Sequence, residues 1–160
     1  MIFVTLGTHE QPFNRLLEAV DKLTPEHDRI VQYGFSTYPM RNCSARRFFE
    51  FDDMRRLTSS ARVIVTHAGV GSIMLALAAG KRPVVAPRLY RFGEHVDDHQ
   101  LEIAEQFAKA GKVILFMPGD DLEAKIAEAN RHNSIENLKP SIDLVDFLKD
   151  AISSSVFRVS

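Results

Sequence analysis

Residues 61–88 read ARVIVTHAGVGSIMLALAAGKRPVVAPR, and the order of residue types in this stretch decides the fold. Val63-Ile64-Val65 is a β-branched run of the kind found in a strand buried on both faces. His67-Ala68-Gly69-Val70-Gly71-Ser72 follows at that strand's C-terminal end. Residues 73–79 carry no breaker and predict a helix, with Gly80 as its C-terminal cap. Pro83-Val84-Val85-Ala86-Pro87 predicts a second short strand, bounded by prolines that leave the ladder at each end.

A loop that opens directly into a helix presents backbone N–H groups with no acceptor in their own helix. The aligned peptide dipoles add about half a positive charge there. Gly69 and Gly71 take away side chains that would hold a ligand off the backbone, and Ser72 adds a hydroxyl. Such a loop suits phosphate or diphosphate; the alternative is a tight strand-to-helix turn that binds nothing. No Gly-Lys-Ser/Thr follows the glycines, so the loop is not a Walker A motif. Met74 stands where a dinucleotide fingerprint has its third glycine, and the next strand ends in Ala86-Pro87-Arg88 with no acid for a ribose. This pattern argues against a nicotinamide or flavin enzyme, and no cofactor is expected.

The chain has 160 residues, 45% of them apolar, which predicts one domain with its own core. A net charge of −1 argues against a nucleic-acid binder. Cys43 is the single cysteine, so no intrachain disulfide forms and a reducing cytoplasm fits. No apolar run approaches the roughly 20 residues of a membrane span. The start, MIFVTLGTHE, has neither a basic n-region nor a cleavage site, so no signal peptide is expected.

Outward from the central unit, strands and helices alternate. Residues 2–6 predict a first strand ending in Gly7-Thr8-His9, and Pro12 starts a helix to about Leu23 with Phe13, Leu16, Leu17 and Val20 on one face. Residues 29–33 predict a second strand. A polar irregular stretch, 36–44, precedes a third strand at 47–51 and a helix at 52–60 capped by Asp52 or Asp53. After residues 61–88, Asp97 or Asp98 caps a helix that runs to about Ala110 and ends at Gly111. A sixth strand covers 113–116, a helix 122–130, a polar linker 131–140 and a last helix 142–152. Ile142, Val145, Leu148 and Ile152 give that last helix an apolar stripe, and Val156 and Phe157 extend beyond it. This order predicts an α/β, doubly wound parallel sheet of about six strands with helices on both faces. Its ligand crevice lies at the strands' C-terminal ends, where Gly7-Thr8-His9 and residues 67–72 converge at the switch in strand order.

THAGVGSIMLALAAGKRPVVAPR, then GEHVDDHQ at 93–100, together with the N-terminal TLGTHEQPFNRLLEAVD, resemble the C-terminal, donor-binding domain of family 28 glycosyltransferases. The resemblance covers roughly residues 1–118. MurG is the full-length relative. The short, PssE-like single-domain subunits of bacterial exopolysaccharide transferases and the catalytic subunit of the eukaryotic dolichol-linked UDP-GlcNAc transferase are more similar. The resemblance implies the Rossmann-like half of a GT-B fold, with the donor's pyrophosphate at the glycine loop. One departure stands out: Leu75 occupies the early helical position where MurG and the eukaryotic subunits carry an acid for the ribose.

Gly7, Thr8, His67, Gly69, Gly71 and Ser72 are therefore candidate donor-binding residues. A second cluster holds Glu94, His95, Asp98, His99 and Gln100. His95 and His99, spaced i, i+4, could ligate zinc with Glu94 or Asp98; they could equally be solvated residues at a helix start. The resemblance implies instead that Asp98, His99 and Gln100 hydrogen-bond the donor's sugar, and no metal is expected. Amide and imidazole groups suit sugar hydroxyls because each donates or accepts. His9, beside Glu10, is the candidate catalytic base for an inverting transfer; the alternative is a loop histidine without a role. Arg88 and Arg91 are candidates to neutralise a diphosphate leaving group, though they, with Lys81 and Arg82, read equally well as surface charge.

The expected function is that of the donor-binding, catalytic subunit of a two-component transferase. It would move a sugar from a UDP-sugar to a lipid-linked acceptor in polysaccharide or oligosaccharide biosynthesis. Its expected partners are the UDP-sugar, the lipid-linked acceptor and a membrane-anchored acceptor-binding subunit, with no nucleic acid. The expected location is cytoplasmic, peripheral to the membrane through that partner. The rivals are a non-catalytic nucleotide-sugar-binding or enhancer subunit and a small complete α/β hydrolase.

Overall fold

The computed structural model describes residues 1–135 together with Asp146 and Lys149. Strand β1 (Ile2–Thr5) leads to α1 (Asn14–Asp21), β2 (Arg29–Gln32), β3 (Ser44–Arg46) and α2 (Phe51–Ser60). The expected central unit follows as β4 (Val63–His67), α3 (Val70–Ala78) and β5 (Val84–Ala86). A 3₁₀ turn (Tyr90–Phe92), α4 (His99–Lys109), β6 (Ile114–Leu115) and α5 (Leu122–Ile135) complete the described chain. All ladders are parallel and the six strands lie in the order β3-β2-β1-β4-β5-β6. The strand order therefore reverses between β1 and β4, which pair from Ile2 with Val63 to Thr5 with Thr66.

Alternation along the strands sends neighbouring side chains to opposite faces. Ile2 and Val4 of β1, with Val63 and Val65 of β4, pack under Leu16, Leu17 and Val20 of α1 and Leu122, Ile126 and Ala129 of α5. On the other face Phe3 and Ile64 meet Leu57 of α2 and Ala76 of α3. Val85 there meets Ile73 and Leu77 of α3 and Ile103, Ala104 and Phe107 of α4. The buried Arg29 binds the end of α1 and the loop after it: its guanidinium donates to the carbonyls of Val20 in the helix's last turn and of Thr24 and His27 beyond it.

Several boundaries differ from the sequence expectation. The third strand is Ser44–Arg46 rather than 47–51, because it is an edge strand whose three residues are all exposed and so carries no apolar pattern to find. The aromatic run that looked like a strand instead turns over the end of the sheet, and Phe51 opens α2. Asp52 and Asp53 lie inside the first turn of α2 instead of at its cap, where carboxylates still favour the helix dipole. Helix α3 starts at Val70, so Gly71 and Ser72 belong to its first turn. Helix α1 is shorter than expected, and α5 runs past residue 130, where a linker was expected, to Ile135. The last helix expected at 142–152, with Ile142, Val145, Leu148 and Ile152, and the extension with Val156 and Phe157, lie outside the described residues.

Candidate functional site

Strand β4 ends at His67, Ala68 is buried, and Gly69 sits at the N-cap position of α3. The first turn of α3 contains no acidic residue, so nothing of opposite sign competes for its N-terminal N–H groups. A Cβ built on Gly71 would meet nothing within 4 Å, so the space above that backbone is open.

Gly69 has a different reason. A Cβ there would fall 2.2 Å from His67 Nε2, and a Cβ on Gly7 would fall 2.5 Å from the same ring. The imidazole of His67 thus lies in a slot between two glycines, one after β1 and one after β4. Gly7 also has φ of 72°, a left-handed conformation that glycine adopts without penalty. Burial pushes the His67 pKa down to about 4, and Arg88, His9 and His95 push in the same direction against a backbone hydrogen bond at Thr5. His67 is therefore neutral at physiological pH.

A cleft of about 420 Å³ opens above this slot. Gly7, Thr8, His67, Gly69, Gly71 and Ser72 form its polar wall, so six of the expected residues come together there. The opposite wall is Phe48, Phe49, Phe51 and Met54, with Thr5 and Gln32 at the floor. Sequence reading missed this wall. Gln32 builds it: its Nε2 donates to Thr5 Oγ1 at 3.1 Å and its Oε1 accepts from Phe49 N at 3.0 Å. The available signal was an aromatic run, Phe48-Phe49-Glu50-Phe51, leading straight into a helix, where a turn rather than a strand is needed. No acidic side chain lines the cleft, and Leu75 is not among its lining residues.

The second cluster separates into framework and rim. Arg88 is 1% exposed and donates to the carbonyls of Leu6 at 2.9 Å, Gln11 at 2.6 Å and Glu94 at 3.2 Å. Its guanidinium also lies over the Phe13 ring, 4.8 Å from the centroid. Burial lowers its pKa to about 10, with Glu94 opposing, so it stays charged. It ties the loop after β1 to the loop after β5, and its partners are carbonyls of the chain itself. Glu94 is buried and takes two 2.9 Å hydrogen bonds from Arg15 and one from Leu89 N. Gln100, also buried, accepts from Arg88 N.

Asp98 holds the N-cap position of α4, but its carboxylate accepts from Tyr90 N. Asp97 accepts from His99 N, at the helix's first residue, and this bond lowers the Asp97 pKa, with His95 adding to it. His99 is half exposed and faces Glu102 at 3.6 Å. His95 stacks on His9, with ring centroids 4.5 Å apart and planes 20° from parallel. Arg91 is exposed over Phe92. Lys81 donates to the carbonyls of Ser59 and Ala61, and Arg82 N donates to Asn133, both at the strands' other end. Among the described residues no group of three or more His, Cys, Asp or Glu side chains is placed to hold a metal. No helix among them is long and apolar enough to cross a membrane.

The chain has known relatives in sequence and in fold. A curated relative from Yarrowia lipolytica, UDP-N-acetylglucosamine transferase subunit ALG13, is 30% identical over 135 residues, 75% of this chain and 65% of its own. The chain thus spans just under two thirds of that relative. The solution NMR structure of ALG13 is similar with a TM-score of 0.56 at 19% identity, covering 98% of this chain and 96% of that one. The glycosyltransferase of kitacinnamycin (TM-score 0.61, 17% identity) and the calicheamicin glycosyltransferase CalG4 (0.58, 19%) match 93% and 95% of this chain but only 38% and 39% of their own. These likenesses bear out the expected α/β fold as the Rossmann-like half of a GT-B architecture. The family model for the glycosyltransferase family 28 C-terminal domain matches residues 1–153, and the chain belongs to that family.

Proposed function

We propose that this chain is the donor-binding, catalytic subunit of a two-component glycosyltransferase that moves a sugar from a UDP-sugar to a lipid-linked acceptor in polysaccharide or oligosaccharide biosynthesis. The observation that carries the reading is the cleft at the strand-order switch, with an open helix N-terminus on one wall and aromatic rings on the other. A nucleoside diphosphate matches both walls: the diphosphate at the N–H groups of α3 with Thr8 and Ser72 hydroxyls, the base against Phe48, Phe49 or Phe51. The sugar would extend toward the N-terminus of α4, where His99 and the amide nitrogen of Gln100 can meet hydroxyls; Asp98 would take part only by giving up Tyr90 N. Arg88 would then support the loops around the diphosphate rather than touch it. His9 would accept the acceptor's proton.

The chain would work with a second, membrane-anchored subunit that supplies the acceptor site, from a cytoplasmic position peripheral to the membrane. The subunit description of the Yarrowia relative supports this. Calorimetric titration with UDP tests the binding half; absence of saturable binding overturns it. Transfer from a UDP-sugar by host membranes, dependent on added chain, tests the catalytic half, and turnover by the purified chain alone would remove the need for a partner.

A further inference from the structure

His9 is the proposed base, and a base works from one nitrogen only. His9 Nε2 lies 2.8 Å from Gln11 Oε1. An amide oxygen only accepts, so the proton in this bond belongs to Nε2 and the lone pair is left on Nδ1. The Gln11 backbone is itself held, because its main-chain carbonyl accepts from the buried Arg88. On the other side, the His95 ring stacks on His9 at 4.5 Å. His95 is fixed in turn: its Nδ1 donates to Asp97 Oδ1 at 3.0 Å, and Asp97 is anchored on His99 N at the start of α4. The base thus has a hydrogen-bond partner in its plane and a stacking partner on its face, brought by two different loops.

We propose that Gln11 and His95 are positioning residues for His9, Gln11 setting the tautomer that leaves Nδ1 as the proton acceptor and His95 fixing the plane of the ring. The inference rests on His9 as base of the proposed transfer. In that step the acceptor hydroxyl oxygen bonds to the sugar's anomeric carbon and its proton passes to Nδ1. The bond from that carbon to the diphosphate breaks, its electron pair leaving with UDP; the imidazolium then returns the proton to solvent. The titratable and charged groups around His9 are His95 with Asp97 behind it, His67 at the end of β4, Arg88 bound to the Gln11 carbonyl, and Glu10 on its own loop.

The tautomer is read on the full chain with ¹⁵N-labelled histidine by long-range ¹H–¹⁵N correlation, His9 being assigned by its loss in His9→Ala. Above the titration midpoint Nε2 carries the proton in the native chain, and Gln11→Leu mixes the two tautomers. Gln11→Glu places a carboxylate beside the ring and raises the His9 midpoint by about one pH unit. The acid limb of the kcat profile, followed as transfer from UDP-GlcNAc with host membranes, moves by the same amount. Gln11→Leu and His95→Ala each lower kcat about tenfold with KM little changed, and His95→Phe, which keeps a ring on the stack, recovers most of that loss. A native His9 protonated at Nδ1, or a tautomer indifferent to Gln11→Leu, overturns the positioning role. Transfer that survives His9→Ala overturns the base assignment separately, with the tautomer result unaffected.

Discussion

The rim of the sheet has two sides, and they treat charge in opposite ways. On the β5 side, Arg88, Glu94, Arg15 and Gln100 are bound to one another and to backbone groups of two loops, one after β1 and one after β5. On the β4 side, the cleft is lined by glycines, hydroxyls, a neutral imidazole and aromatic rings, with no ionised side chain. The paired side is a frame that fixes loops. The unpaired side keeps its positive potential in backbone N–H groups, where a ligand has no side-chain partner to displace. A charged residue near a crevice is thus more readily scaffold than contact when it is buried, because burial demands a partner at all times.

The sharpest break of the contrast is on the framed side. Glu94→Ala leaves Leu89 N without its side-chain acceptor and Arg15 with the Pro87 carbonyl in place of a carboxylate, and should cost about 3–5 kcal/mol in urea unfolding; a change under 1 kcal/mol would show that the frame is slack. Next is the pH response of the open side. His67 has a folded pKa near 4 against about 6.5 unfolded. The unfolded chain therefore binds the extra proton between those values, and stability is fully present above pH 6.5 and lost as pH falls toward 4. The expected contribution is about 3 kcal/mol across that window, and His67→Gln should flatten it; an equal slope in both proteins rules it out. Third, Gly69→Ala drives a methyl into the His67 ring and should destabilise by about 2 kcal/mol, with part of the loss recovered in the double variant Gly69→Ala/His67→Ala. Additive effects would mean that the slot is not what selects glycine there. Smallest in stability is Gly71→Val, expected to move unfolding by under about 0.5 kcal/mol while weakening UDP about tenfold in calorimetry; unchanged UDP affinity would refute the open-loop reading.

Much of this contrast was legible in the sequence, and the part that was not has a common cause. Val63-Ile64-Val65, the glycines and the proline-bounded strand signal their structure locally, so the parallel sheet and the meeting of Gly7 with residues 67–72 could be read from periodicity and order. The edge strand at Ser44–Arg46 sends no such signal, since exposed residues obey no burial pattern. Arg88 and Glu94 read as surface or ligand-facing charge because their partners, Leu6, Gln11 and Arg15, are more than 70 residues away in the chain. Gly69 was read as clearance for a ligand; it also clears a histidine. In each case the missing information was the identity of a neighbour brought in by tertiary pairing.

The strand order has a further consequence. Residues 1–60 supply β1, β2 and β3, residues 61–135 supply β4, β5 and β6, and the only strand ladder joining the two runs among the described residues is β1 on β4. The cleft straddles that seam: Thr5, Thr8 and the aromatic wall come from the first run, and His67 to Ser72 from the second. Neither run holds a binding site by itself. A ligand seated there acts as a clasp between two halves of the chain, so its binding free energy is added to the seam. Parting of the halves would cost the ligand's binding free energy as well.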